Sequence, residues 1–292
     1  MANILAIGIA TLDIINVVES YPTEDSELRA LSQQQLRGGN ATNTLTVLSQ
    51  LGHHCSWGGI LIDEPDSQII KDDLAKSNID ISSCKQLASG KMPTSYITLN
   101  KKTGSRSIVH HRDCPEFSFL DFQKIKLDDV DWVHFEGRNI AETQLMLQHL
   151  KQHYPHLPCS LEIEKPRPDI EQLFELPDVL LFSQHYVESL GFNTASDFLT
   201  SLKHDKLIIC AWGNQGAWAL DLDKNIVHSS AFPPSQLIDT LGAGDTFNAG
   251  LIHSLVMDIE PQKALENACQ LAGHKCGQYG FVNLTTHFKL QS

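Results

Sequence analysis

The sequence predicts an α/β fold with a mainly parallel central sheet covered by helices, plus a small β-sheet lid. Apolar runs of strand length alternate with segments of helical period along most of the 292 residues, as in a parallel sheet crossed by helices. Two regions, 13–32 and 93–112, break that rhythm with alternating polar and apolar residues. No internal repeat, low-complexity tract or linker rich in Pro, Gly or Ser divides the chain, so one domain over 1–292 is expected.

The first core strand is expected at 3–9, where Ile4-Leu5-Ala6-Ile7-Gly8-Ile9 is nearly all apolar. Asp13-Ile14-Ile15-Asn16-Val17-Val18 then alternates and reads as an antiparallel lid strand with one covered face. After the turn at Gly38-Gly39, the spacing of Leu45, Val47, Leu48 and Leu51 predicts a helix over 41–51. Strand 55–61 and helix 66–77 follow, then two more lid strands in Thr94-Ser95-Tyr96-Ile97-Thr98-Leu99 and Arg106-Ser107-Ile108-Val109-His110-His111. From there the core alternates: strand 131–135, helix 141–153, strand 159–163, helix 168–175, strand 178–182, helix 194–203 and strand 207–211. Residues 215–230 read as two short strands around the polar turn Asp221-Leu222-Asp223-Lys224-Asn225, and helices 243–257 and 261–277 end the order.

Charge narrows the partners. A net charge of −13 and a pI near 5.4, with no basic stripe, argue against nucleic acid or an anionic membrane surface. No run approaches the ~20 apolar residues of a membrane span. The start, Met-Ala-Asn-Ile-Leu-Ala-Ile-Gly, lacks the basic region of a signal peptide, so a cytoplasmic location is expected. Seven cysteines without a CxxC pair fit reduced thiols better than a disulfide framework or a zinc site. His53-His54 and His110-His111 are adjacent pairs, and strand neighbours point to opposite faces, which argues against a transition-metal site.

Gly242-Ala243-Gly244-Asp245-Thr246-Phe247-Asn248 is the most informative stretch. Two glycines permit a sharp turn into a helix, whose free N–H groups bind an anion such as phosphate. A carboxylate repels that anion unless it handles a proton, so Asp245 reads as a base for a hydroxyl that attacks phosphate, or else as a plain N-cap. Gly38-Gly39-Asn40-Ala41-Thr42-Asn43 is a second glycine turn before a helix. Asn40 and Asn43 share one face of its first turn and suit sugar hydroxyls, with Asp13 as a further acceptor, or else an Asn caps the helix. There is no Walker loop, and Gly242, Gly244 and Gly250 miss the dinucleotide spacing.

Gly38-Gly39-Asn40 and Asp239-Thr240-Leu241-Gly242-Ala243-Gly244-Asp245 resemble the two signatures of the ribokinase-like (PfkB) carbohydrate kinases. Longer stretches at 21–27, 37–41, 134–139, 162–167, 210–212, 231–234 and 275–277 are similar to the branch that phosphorylates fructose at C1. The resemblance spans about residues 4 to 284. It implies a ribokinase-like three-layer sandwich and a lid that excludes water from the sugar. ATP would be the phosphoryl donor, with Mg²⁺.

By the same resemblance Asp245 is the base and the backbone of Gly242, Ala243 and Gly244 the anion hole. Asp13, Gly39, Asn40 and Asn43 hold the sugar, while Arg106 and the turn Gly213-Asn214-Gln215-Gly216 meet ATP. Asp239 matches a ligand for a monovalent cation such as K⁺. A homodimer joined through the lid sheets is implied, with Asp25 reaching the partner's sugar. One departure stands out: where many relatives carry Asn-x-x-Glu, this chain reads Ser183-Gln184-His185-Tyr186, which leaves the Mg²⁺ ligands unassigned. Two other readings stay open. One is a same-fold kinase for a pentose, sugar acid or nucleoside. The other is a catalytically silent sugar- or nucleotide-binding regulator, against which the intact Asp245 argues.

Overall fold

A computed structural model describes residues 1–202 and 205–286. In chain order its first elements are strands β1 (Asn3–Ile7), β2 (Thr11–Val18) and β3 (Ser32–Gly38), helix α1 (Asn40–Gln50), β4 (His54–Gly58), β5 (Ile60–Ile62) and α2 (Pro65–Lys76). Next come β6 (Ile79–Asp80), β7 (Lys85–Leu87), β8 (Lys91–Asn100), β9 (Arg106–Asp113), α3 (Phe119–Phe122), β10 (Trp132–Glu136) and α4 (Ile140–His153). The remainder is β11 (Cys159–Ile163), β12 (Val179–Ser183), α5 (Gln184–Ser189), α6 (Ala195–Ser201), β13 (Leu207–Ala211), β14 (Ala217–Leu220), β15 (Ile226–Ser229), α7 (Ala243–Val256) and α8 (Pro261–Lys275).

The central sheet has nine strands in the order β15-β14-β13-β12-β11-β10-β1-β4-β6. From β13 to β6 all pairs are parallel, and β14 and β15 fold back antiparallel at one edge. Strands β1, β10, β11 and β12 are buried nearly throughout, which explains their apolar runs. Helices α1 and α8 both pack on α7, and α3 packs on α4. Among the fully buried side chains are Trp57, Phe122, Phe135, Phe182 and Phe198. The architecture is the expected α/β arrangement of a large, mainly parallel sheet with a separate small sheet.

That small sheet has four strands in the order β3-β2-β8-β9. Two features differ from expectation. Strand β3, Ser-Gln-Gln-Gln-Leu-Arg-Gly, begins with five exposed residues, so no apolar alternation announces it; its backbone pairing to β2 makes it a strand. Strands β2 and β8 run parallel, because the chain crosses the central sheet between them, while β3 and β9 are the antiparallel members.

Elsewhere the expected strand 55–61 divides at Gly58-Gly59, and its second half pairs with β7 in a two-stranded sheet. The helix expected at 168–175 is a single 3-10 turn, Ile170–Leu173, entered through the left-handed residue Asp169 (φ 66°). Pro166 and Pro168 lie just before it and disfavour a longer helix. The expected helix 194–203 is observed as α6, its last position lying outside the described residues, as do 287–292 of the domain expected over 1–292. The seven cysteines stand unpaired. Among the described residues no helix is long and apolar enough to cross a membrane.

Candidate active site

Two helix N-termini meet where the parallel strands end, the side of such a sheet where crevices form. Gly39 caps α1 with φ 105°, and a Cβ on it would lie 2.2 Å from the carbonyl oxygen of Ile9. A Cβ on Gly38 would lie equally close, 2.2 Å, to Oδ2 of Asp13. Both positions therefore need glycine for close approach, and Gly39 also for its left-handed backbone. Because Gly39 is the cap, Asn40 is the first helical residue and caps nothing. Its Nδ2 donates to Oε2 of Glu162 and of Glu164, both at 3.1 Å.

Asn43, one turn on, donates from Nδ2 to Oδ2 of Asp245 at 2.7 Å. Its orientation is fixed by Arg37, which is buried and donates from Nη1 to Asn43 Oδ1 at 2.8 Å and to Thr42 Oγ1 at 2.9 Å. Arg37 also reaches Thr46 Oγ1 at 2.8 Å and pairs with Asp73 at 2.5 Å. A guanidinium with five rigid donors suits such a junction. Asn43 thus presents its N–H to the carboxylate and its oxygen to Arg37, and the amide cannot flip without losing both bonds. The pair of asparagines was expected to face sugar; in the structure Asn43 is first the partner of Asp245.

Asp245 sits in the first turn of α7, 7% exposed. The left-handed Gly242 (φ 77°) is the cap, and the Asp245 side chain makes no capping bond, so the capping reading fails. Burial pushes its carboxyl from 3.8 up to about 7, opposed by the Asn43 donor and by Arg37 and reinforced by the charges of Glu164 and Glu136. One of the three amides expected to form the anion hole is already engaged. The Ala243 N–H already donates to Thr240 O at 3.2 Å. Among the described residues, the N–H groups of Gly242, Gly244 and Asp245 bond no protein acceptor, and the space beside Gly244 is open.

Four further carboxylates surround this point, and the sequence reading named only one of them, Asp13. Glu162, at the end of β11, is buried and accepts from Asn40 and from Asn248 Nδ2 at 2.8 Å. Burial holds it well above the carboxylate range, and the charges of Asp245, Glu164 and Glu136 add to this. Glu136, at the end of β10, accepts the Ile9 N–H at 3.0 Å and faces Arg138 at 3.5 Å; burial raises it too. Asp13 accepts from Thr11 Oγ1 at 2.8 Å and is raised by burial, against the Thr11 and Ser95 hydroxyls and the charges of Arg37 and His110. Register aligns Asp13, Ser95 and His110 across β2, β8 and β9, a polar row on the small sheet. Only the spacing of Glu162 and Glu164 at alternate strand positions hinted at this cluster.

The remaining expected residues are more scattered. Gly213–Gln215 forms a 3-10 turn after β13, and Gly216 (φ 94°) closes it with Trp212 N–H donating to Gly216 O at 2.8 Å. Arg106 is exposed at the start of β9, and Asp25 (φ 57°) is exposed in the connection from β2 to β3. Ser183 caps α5, accepting the Tyr186 N–H at 3.0 Å. Asp239 does not stand open for a cation. Lys275 Nζ donates to its Oδ2 at 2.6 Å and to its carbonyl at 3.0 Å. A cavity of about 480 Å³ opens beside this region, lined by Phe232, Pro234, Ser235, Gln270, His274 and Gly277, with Gln278. It has the size for a purine and ribose.

The pfkB family carbohydrate kinase profile matches residues 1–286. The chain is 42% identical over 289 residues to ketohexokinase of Mus musculus, covering 95% of this chain and 97% of that protein. It is 25% identical over 268 residues to a fructosamine kinase of Bacillus subtilis (strain 168), with 87% and 88% covered. Arabidopsis thaliana ribokinase complexed with ribose and ATP superposes with a TM-score of 0.81 at 19% identity, over 96% of this chain and 94% of that one. Adenosine kinase of Sinorhizobium meliloti gives a TM-score of 0.81 at 19% identity, with 98% of each chain covered. At such identities the two structures speak for the fold alone.

Proposed function

The chain belongs to the pfkB family of carbohydrate kinases, and from that premise we propose that it transfers the γ-phosphoryl group of ATP to the C1 hydroxyl of D-fructose. Asp245 carries this reading. A buried carboxylate behind unbonded helix amides opposes anion binding, and it gains a purpose only by taking a proton. The 42% identity to mouse ketohexokinase favours fructose over a pentose, sugar acid or nucleoside as acceptor.

In the transfer Asp245 accepts the C1 hydroxyl proton as that oxygen attacks the γ-phosphorus, and the bond to the β-phosphate bridging oxygen breaks to release ADP. The amides of Gly242 and Gly244 meet the charge that develops on the transferring group. Asp13, Asn40 and the Gly39 backbone grip the remaining hydroxyls, and Asn43 keeps Asp245 aimed. The nucleotide lies along Gly213-Asn214-Gln215-Gly216 and in the Phe232–His274 cavity, with Arg106 closing on the phosphates from the small sheet. Among the described residues no group of three or more His, Cys, Asp or Glu is arranged to hold a metal ion. Both Glu162 oxygens already accept from Asn40 and Asn248. Mg²⁺ bound with the nucleotide would neutralise charge on its phosphates, and no residue of this chain is assigned to hold it. The Asp239 carboxylate is committed to Lys275, so a K⁺ ion would need other ligands.

The cytoplasm, where ATP is plentiful, is the proposed location. A homodimer through the small sheets is proposed because Tyr96, Ile108 and Val109 are exposed apolar groups on them. Light scattering should give about twice the 32.5 kDa chain mass, and Asp25→Ala should then raise the sugar KM; a fully active monomer refutes the dimer.

The direct test is ADP release against a panel of ketoses, aldoses, sugar acids and nucleosides. D-Fructose should give the highest kcat/KM. A nucleoside or pentose in first place contradicts the acceptor, and tight binding without turnover would mark a regulator. The rate should also follow the base. Since the unprotonated form of Asp245 is the active one, kcat/KM should rise with pH to a midpoint at about 7 and fall about tenfold per pH unit below it. A flat profile between about pH 5.5 and 8 would remove Asp245 from that role.

A further inference from the structure

Lys275 is the last residue of α8, and it is fully buried, 0% exposed. Lysine almost never accepts such burial unless its charge is compensated. Here a carboxylate compensates the charge. Two of the three ammonium hydrogens go to Asp239, one to its carbonyl and one to Oδ2, while the ammonium also lies 5.7 Å from the centre of the Phe281 ring. The Asp239 carboxylate then serves two backbone groups, accepting the Leu241 N–H at 2.9 Å on Oδ1 and the Gly280 N–H at 3.2 Å on Oδ2. Main-chain bonds reinforce the knot, with Ile238 N–H and Asp239 N–H both donating to Cys276 O.

Three segments are joined here: 238–242, the end of α8, and 280–281. The joint controls the turn that presents the anion-binding amides. Phe281, packed against the ammonium, occupies the space that a Cβ on Gly242 would take, 2.3 Å from its Cζ. The left-handed Gly242 and the path of 239–241 thus follow from where Asp239 and Phe281 are held.

We propose that Lys275 is a positioning residue for phosphoryl transfer: its tethered ammonium holds the 239–242 turn in the shape that binds the nucleotide phosphates. The proposal rests on the kinase reading of the same site, yet it can fail separately. Without the ammonium, Asp239 keeps a charge with no counter-charge beside it, and the turn loses its anchor. The sugar grips at Asp13 and Asn40 lie on other elements and keep their geometry.

The test uses Lys275→Met and Lys275→Ala, with ADP affinity measured by calorimetry and both KM values by steady-state kinetics. Lys275→Met should weaken ADP binding and raise the ATP KM by about tenfold or more, the scale of a slightly misplaced site, with the sugar KM unchanged. In Lys275→Ala the removed part equals propylammonium, which should restore activity, whereas propanol should not. Wild-type ADP affinity in a folded Lys275→Met overturns the proposal, as does equal loss of sugar and nucleotide binding. Should that variant not fold, Asp239→Asn keeps the shape, removes the charge and should show the same nucleotide-specific loss; failure of both to fold assigns the pair to stability alone and rejects the proposal. If wild-type protein binds ADP and Lys275→Met weakens that binding, yet neither transfers phosphate, the kinase reading falls while the part of Lys275 in shaping the 239–242 turn stands.

Discussion

Asp245→Asn should bind fructose and ATP, turn over about 10²–10⁴-fold more slowly than wild type, and at the same time be more stable above neutral pH. The two effects have one cause. Burial raises the folded-state pKa of Asp245 from 3.8 to about 7. The folded protein therefore holds this proton more tightly than the unfolded chain. The associated stability is full below pH 3.8 and is lost as the pH rises through about 7. At about pH 8 the wild type keeps a buried carboxylate that an asparagine lacks, a difference on the order of 4 kcal/mol at most. Asparagine retains the acceptor for Asn43, so the local bond survives. Calorimetric melting at about pH 8 should show a higher Tm for the variant, and the gain should shrink toward about pH 5. A variant that is slow but also less stable at about pH 8 would mean that the carboxylate is a structural partner of Asn43, not a strained base.

Arg37→Met should show the next largest effect. Arg37 is buried and satisfies Thr42, Asn43 and Thr46 together, besides pairing with Asp73. Its loss strips the buried Asn43 Oδ1 of its donor and Asp73 of its counter-charge, and takes one of the hydrogen bonds of Thr42 and of Thr46, costing about 3 kcal/mol in urea unfolding. Asn43 is then free to flip, presenting its oxygen to Asp245. Arg37 also lowers the Asp245 pKa by its charge, as does the Asn43 donor. Removing the one and loosening the other raises that pKa further, so the midpoint of the pH–rate profile should move to higher pH. That displacement distinguishes aim from stability, because a merely loosened fold would lower the rate at every pH without moving the midpoint.

These expectations show which parts of the molecule were legible from residues alone. Strands β10, β11 and β12 could be read because both faces are buried and most of their side chains are apolar, with β12 the clearest case. The glycine turns could be read because close approach at Gly39 and a left-handed cap at Gly242 leave few alternatives to glycine. Arg37 could not, since it follows an exposed Gln-rich stretch that looks like solvated surface. Glu162 and Lys275 were hidden for a related reason. A charged side chain in sequence looks like a solvent-facing one until its partners are known, and those partners, Asn40 with Asn248 and Asp239, come from distant segments. Asp239 shows the same limit from the other side: in the sequence it stands as a candidate cation ligand, and only the fold reveals that its carboxylate accepts from Lys275.

The central claim is that Asp245 draws the proton from the C1 hydroxyl of fructose while the α7 N-terminus meets the phosphate. Carbon-13 NMR of the product formed from D-fructose and ATP tests it most directly, because carbon–phosphorus coupling reports which oxygen was phosphorylated. Coupling at C1, strong with wild-type protein and absent with Asp245→Asn in the same period, is the result expected. Coupling at C6, or equal product from the Asp245→Asn variant, would contradict the account.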